Sequence, residues 1–156
     1  MVVTKSVACV VRATPRGSEV LVFEHPDGTI QIPKGTVEED ESPACAVLRE
    51  LREESGIAEV SLLPELSRLE RRLPSGPSGN GPLEDQVWHV FWLEPRSELP
   101  ASWEHVVTDG PLDAGLTFSF HWVLLARASD LLHPLFDPVV RALLETDPRD
   151  GRRVGV

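Results

Sequence analysis

The chain has 156 residues, 41% of them hydrophobic and 26% charged, and its 15 Lys+Arg against 25 Asp+Glu give a formal net charge of −10. That length suits one domain burying roughly two-thirds of its unfolded surface, and the acidic balance lacks the electrostatic footprint that long nucleic acid requires. Two cysteines, Cys9 and Cys45, have no metal-ligand spacing and make no disulfide framework, so a reduced, cytoplasmic setting is expected.

The N-terminal run MVVTKSVACVVRAT is interrupted by Arg12 and is too short for a membrane span or a secretory signal. Valine-rich residues 6–13 are predicted as a strand buried on both faces, and residues 19–24 (EVLVFE) as a second strand antiparallel to it. After the turn His25-Pro26-Asp27-Gly28, residues 29–32 form a short extended piece leading into Pro33-Lys34-Gly35. Lys34 is a candidate phosphate contact, because a point-charge ammonium beside a glycine turn can reach phosphoryl oxygens.

Residues 42–55 are predicted as an amphipathic helix. Ser42 suits the N-cap, Pro43 the first helical position, and Gly56 the left-handed residue past the end. Ala44, Val47, Leu48 and Leu51 form the stripe expected to be buried. Glu50, Glu53 and Glu54 share another sector at i, i+3 and i+4, where like charges destabilise a helix by roughly 0.2–0.5 kcal/mol per pair. Arg49 and Arg52 are expected to point elsewhere and to leave the cluster incompletely neutralised. Converging carboxylates of this kind suit a hard divalent cation, Mg²⁺ or Mn²⁺.

Beyond the helix, residues 59–63 and 66–73 are predicted extended around Pro64, and PSGPSGNGP (74–82) a flexible hairpin loop and not a domain boundary. Residues 86–93 (QVWHVFWL) make the most aromatic strand. Trp88, Phe91 and Trp92 are expected in the core, with stacking of one of them on a base as the other reading, and His89 as a strand histidine. Residues 94–115 are expected to be a long irregular segment of the functional kind. Leu116, Phe118, Phe120, Trp122 and Leu124 then alternate with Thr117, Ser119 and His121. Residues 130–146 are predicted as a helix broken or kinked near Pro134 and Pro138, with Leu131, Leu132, Leu135, Val139, Val140, Leu143 and Leu144 on its apolar side. Residues 147–156 are expected to fray.

Residues 35–57 read G-x5-E-x7-R-E-L-x-E-E-x-G-I, filled by Gly35, Glu41, Arg49, Glu50, Leu51, Glu53, Glu54, Gly56 and Ile57. This stretch resembles the Nudix box with every fixed position occupied, a coincidence expected by chance on the order of once in 10⁸ start sites. The resemblance implies the Nudix fold: an α+β, α/β/α sandwich in which a mixed β-sheet is flanked by the box helix and a C-terminal helix, as a single domain over residues 1–156. It implies hydrolysis of a diphosphate linkage in a nucleoside diphosphate derivative or nucleotide, a small-molecule substrate with neither long nucleic acid nor a membrane as partner. Glu50, Glu53, Glu54 and the carbonyl of Gly35 would hold Mg²⁺ or Mn²⁺. Glu50 or Glu53 would orient or deprotonate water, with Arg49 holding the glutamates and Glu41 bracing the turn. In such proteins the base can also come from the loop before the last strand, where Glu104, His105, Asp109 and Asp113 are the candidates. Many relatives carry a glutamate just before the tryptophan of that strand, where this chain has His121.

Substrate signals are thin, and a dinucleoside polyphosphate or an inositol diphosphate stays open as the substrate. Two other function classes stay open: a nucleotide-derivative-binding module without turnover, which usually has eroded glutamates, and an isomerase of a short prenyl diphosphate, which would want a better placed cysteine than Cys9 or Cys45. The exposed parts of the aromatic strand leave room for a homodimer.

Overall fold

The computed structural model describes residues 2–76, 79–110 and 112–148. In chain order its strands are β1 (Val2–Thr14), β2 (Gly17–Glu24), β3 (Ile30–Gln31) and β4 (Lys34–Thr36), then helix α1 (Pro43–Ser55). There follow β5 (Val60–Leu62), β6 (Ser67–Pro74), β7 (Leu83–Pro95), β8 (Ser102–Val106) and β9 (Thr117–Leu124), and finally helices α2 (Ala128–Leu131) and α3 (Asp137–Thr146).

β1 is the spine. Its Val7, Cys9 and Val11 face one side and Ala8 and Val10 the other, all fully buried, as a strand covered on both faces requires. β2 returns antiparallel to it, with Val11 opposite Val20 and Thr14 opposite Gly17. β7 runs parallel to it from Val2 opposite Asp85 to Val10 opposite Leu93, so the sheet is mixed. The strand order is β5-β7-β1-β2-β9-β8, with β3 on β2, β4 on β1 and β6 on β7. One face packs Val7, Cys9, Trp88, Val90 and Trp92 beneath Leu132, Phe136, Val139, Val140 and Leu143 of the C-terminal segment. The other packs Ala8, Val10, Phe91, Phe118 and Phe120 against Val47 and Leu51 of α1. The result is the α/β/α arrangement expected of an α+β chain, and Trp88, Phe91 and Trp92 are core residues.

Several expectations are corrected. The segment 94–115 is not irregular throughout, because β8 lies within it and pairs with β9, Trp103 opposite Phe120. An edge strand covered on one side only has no continuous apolar run to announce it. The C-terminal helix is broken near Pro134 as expected, α2 stopping before a 3₁₀ turn at Pro134–Phe136, but Pro138 makes no break: it lies in the first turn of α3, where a missing N–H is harmless. Leu131 is 50% exposed and not part of the apolar side. In α1, Leu48 is 39% exposed, and the buried residues are Ala46, Val47, Leu51, Glu54 and Ser55. The buried arc is thus rotated away from Leu48 toward Glu50 and Glu54.

β6 and β7 form an antiparallel hairpin from Ser67 opposite Val90 to Pro74 opposite Leu83. Pro77 and Ser78 of the loop expected to be flexible lie outside the described residues, as do residues 149–156 of the tail expected to fray. Among the described residues no helix is long and apolar enough to cross a membrane.

Candidate active site

The short connection from β4 to α1 is held from both sides. Ser6 stands opposite Gly35 in the β1–β4 ladder, and its Oγ donates to the carbonyl of Pro43 at 2.8 Å. Ser42 is the N-cap, its Oγ accepting the Cys45 N–H at 3.1 Å, with Pro43 in the first turn. Gly56 closes the helix in the left-handed region (φ 81°), and its N–H reaches the Arg52 carbonyl at 2.9 Å. The caps fix where the helix begins and therefore which way its glutamates face.

Gly35 is glycine because Glu50 occupies the space of a side chain. A Cβ placed there would stand 1.9 Å from the Glu50 carboxyl carbon and 2.2 Å from each of its oxygens. No residue larger than glycine leaves the carboxylate in place.

Arg49 does not point away from the acidic cluster; it holds it together. Its guanidinium takes Glu41 in a two-point grip (2.7 and 2.9 Å), the Thr36 carbonyl at 3.1 Å, Glu50 at 2.9 Å and Glu53 at 3.2 Å. Five donors in a planar fork make this possible: the Glu53 contact is an i, i+4 pair on the helix, whereas Glu41 and Thr36 precede it. Glu41 also accepts the Glu38 N–H at 3.0 Å, so it braces the turn. Its hydrogen bonds from Arg49 hold the Glu41 carboxyl below the usual range. Arg52 is exposed. Replacing Arg49 by Ala is expected to destabilise the protein by roughly 2–3 kcal/mol, the scale of lost hydrogen bonds between charged groups. Urea unfolding measures this, and a loss below 0.5 kcal/mol, typical of a surface pair, would contradict it.

Glu54 is less well satisfied. Glu54 is only 5% exposed, and its Oε2 has no hydrogen-bond partner among the described residues. Burial, and then the charge of Glu50, push its carboxyl well above the ordinary value, and Lys34 offsets this in part. Burial likewise raises Glu50, against the pull of Arg49. Lys34 is partly buried, with its ammonium 5.5 Å from the centre of the Trp88 ring. Burial, with the charge of Lys5 behind it, lowers its pKa to about 8.

Among the described residues no three His, Cys, Asp or Glu side chains are closed around one point. The Arg49 Nη1 stands between Glu50 and Glu53, each of which it contacts. The donors nevertheless fit a hard cation: all are oxygens, one is buried without a partner, and another rests in a cradle that a Cβ would fill.

The loop candidates separate. Glu104 is exposed on β8, and Asp109 is exposed in the following loop. His105 lies against Gly56 at the far end of α1, where a Cβ on that glycine would come within 3.1 Å of its ring, and its Nε2 is buried without a partner among the described residues. The charge of Asp113 acts to raise the pKa of both Glu54 and Lys34. His121, on β9, is opposite Val22 and Ser102. His89 is paired with Glu65. A cleft of ≈ 510 Å³ lies at the C-terminal end of α1, lined by Gly56, Ile57, Leu99, Pro100 and Trp103, away from the box carboxylates. Sequence reasoning missed His25, which reaches Asp113 from the β2–β3 turn at 3.5 Å; nothing in the spacing of the two could have found it.

The NUDIX domain model matches residues 3–143. The chain belongs to the NUDIX domain family, and the pyrophosphohydrolase class that the box implies is the class that membership supports. Among solved structures, it is similar to the dihydroneopterin triphosphate pyrophosphohydrolase of E. coli, with TM-score 0.65, 17% identity, and 92% of this chain and 94% of that one covered. It is also similar to the NUDIX domain of Shewanella oneidensis NrtR complexed with ADP ribose (TM-score 0.64, 15% identity, 93% and 88% covered). A third is the Ap4A hydrolase of C. elegans (TM-score 0.60, 18% identity, 92% and 96% covered). At these identities the likeness is one of fold. No curated protein matches the chain by sequence.

Proposed function

We propose that this protein hydrolyses a diphosphate linkage in a nucleoside diphosphate derivative or nucleotide, using Mg²⁺ or Mn²⁺, as a single Nudix domain working in the reducing cytoplasm. The observation that carries the reading is the buried Glu54 oxygen without a partner, beside a Glu50 carboxylate resting on Gly35. A carboxylate so deprived of water is stabilised when a cation reaches it. The free thiols of Cys9 and Cys45 are compatible with the compartment. The ADP ribose bound by one neighbour and the Ap4A named as another's substrate favour a nucleotide derivative.

Glu50, Glu53 and Glu54, with the Gly35 carbonyl, would hold the cation. Bound there, it would offset the charge of the anhydride's phosphoryl oxygens and make water a better nucleophile at neutral pH. Glu53 or Glu50 orients that water and accepts its proton. Lys34 takes a phosphoryl oxygen through its ammonium, and Arg49 holds the glutamates in register without touching substrate. The complete set of box glutamates disfavours a binding module without turnover.

Incubation with nucleoside triphosphates, nucleotide sugars, ADP-ribose and dinucleoside polyphosphates, with Mg²⁺ or Mn²⁺, tests the reading. Release of nucleoside monophosphate or phosphate is expected, and none across the panel would overturn it.

Lys34 adds a pH dependence. Its folded pKa of about 8 lies below the unfolded value of about 10.4, so the unfolded chain binds the extra proton between them. Stability of the metal-free protein is therefore expected to gain a contribution as pH rises from about 8 to about 10.4. Urea midpoints for wild type and Lys34→Met across that window check this, and parallel profiles would contradict it.

A further inference from the structure

Among the described residues β1, β2, β7 and β9 each have a strand on both sides, whereas β6 pairs with β7 alone. Its eight residues make it the longest strand with an open edge, ahead of β8 with five and β5 with three. An open edge presents N–H and C=O groups that lack partners, and proteins blunt it with proline, a bulge, a short strand or charge. In β6 the only proline is the last residue, Pro74. No bulge interrupts its register on β7, which runs unbroken from Ser67 opposite Val90 to Pro74 opposite Leu83. Charge is therefore the one device left, and its order along the strand matters. Arg68, Glu70 and Arg72 are exposed on one face, while Leu69 and Leu73 pack against the core from the other. Arg72 is paired with Asp85 at 3.1 Å, and Arg71 donates to the Leu135 carbonyl at 2.9 Å. Arg68 and Glu70 have no hydrogen-bond or ion-pair partner among the described residues.

We propose that β6 is the docking edge for a second copy of this chain, two β6 strands pairing antiparallel about a two-fold axis at Leu69. Two copies of a chain with net charge −10 repel unless they meet where the negative excess is absent, and β6 carries three arginines against one glutamate. An axis perpendicular to the joined sheet sets odd residues opposite odd and even opposite even, so the registers are few. With Leu69 on the axis, Arg68 of each copy faces Glu70 of the other, Leu69 faces Leu69 and Arg71 faces Ser67. An axis at Arg68, Glu70 or Arg72 sets that charge against itself. An axis at Arg71 pairs Glu70 with Arg72 but places Arg71 on Arg71. Like charges directly opposite destabilise a ladder, so the side chains that reject these registers also select the one at Leu69. The open edge lies beside the aromatic strand and not on it, since β7 is paired on both sides. None of the residues in this pairing belongs to the metal site, so the two proposals stand or fall separately.

Sedimentation equilibrium of the full chain tests the pairing, for wild type, Arg68→Glu, Glu70→Arg and the Arg68→Glu/Glu70→Arg double variant. Salt at about 0.15 M holds the screening length near about 8 Å and limits the long-range repulsion. Wild type is expected to form a reversible dimer by about 100 µM, a weak association suited to a short interface. Either single reversal turns two opposite-charge pairs into two like-charge pairs and is expected to raise the dimer Kd at least about tenfold. The double variant restores both pairs with their signs exchanged, and its Kd is expected to return to within about threefold of wild type. Both side chains are exposed, and thermal melts of the dilute proteins show that each variant is folded. A wild type that stays monomeric at that concentration would overturn the proposal. So would a dimer indifferent to the single reversals, or a double variant as weak as the singles.

Discussion

Glu54→Gln is expected to lower kcat by about 10²–10⁴, the range for losing a group that holds the cation or moves a proton, while the metal-free variant melts no lower than wild type. The two halves of this expectation have one cause. Burial raises the Glu54 carboxyl well above its ordinary value, so the folded state disfavours the charged form. Between the unfolded value of about 4.3 and the raised folded one, the native protein holds more protons than the unfolded chain. Stability from this group is therefore fully present in acid and is lost as pH rises through the folded pKa. An uncharged amide of the same shape escapes that penalty, so at neutral pH it gains stability where it loses chemistry. Steady-state kinetics with Mg²⁺ and a thermal melt without it measure the pair. Retained turnover would take Glu54 out of the mechanism, and a large fall in melting temperature would show its charge to be satisfied.

Gly35→Ala is expected to reduce metal affinity and kcat by about 10–100-fold, with little change in stability. The added Cβ would meet the Glu50 carboxyl carbon at 1.9 Å, a contact that no rotamer of alanine avoids. What must move is the end of a flexible side chain and not backbone, so the fold gives way cheaply. The site does not, because Glu50 would leave its place beside Arg49 and Glu54. No positive φ is recorded for Gly35, so the expected loss comes from the contact and not from backbone strain. Calorimetric titration with Mn²⁺ checks it, and wild-type affinity would mean that Glu50 does not hold the cation.

Much of this was legible from residue order. The helix over 42–55 is punctuated by Ser42, Pro43 and Gly56, each acting through backbone chemistry that needs no tertiary knowledge. β1 and β7 announce themselves by apolar residues on both faces. The box spacing alone picked out Gly35, Glu50, Glu53 and Glu54, but what each side chain meets depends on which arc of α1 turns to the sheet. Periodicity chose the arc with Leu48, whereas the packing of Val47 and Leu51 turns Glu54 inward. Arg49 was expected to point elsewhere because helix geometry counts neighbours on the helix only, and two of its partners, Glu41 and Thr36, precede the helix. The contact of His25 with Asp113 is tertiary throughout, carried by strands β2 and β9 lying side by side. β8 was hidden for a simpler reason: three of its five residues are exposed.

The central claim is that the box carboxylates hold a divalent cation in the folded protein, and metal-dependent melting tests it most directly. A ligand bound only by the folded state at 100 times its Kd stabilises by about 2.7 kcal/mol, or roughly 5–10 °C for a chain of this size. Wild type is predicted to show that rise with saturating Mg²⁺ or Mn²⁺, and Glu54→Gln to show little of it. An unmoved wild-type melting temperature, or an equal rise in the variant, would contradict the account.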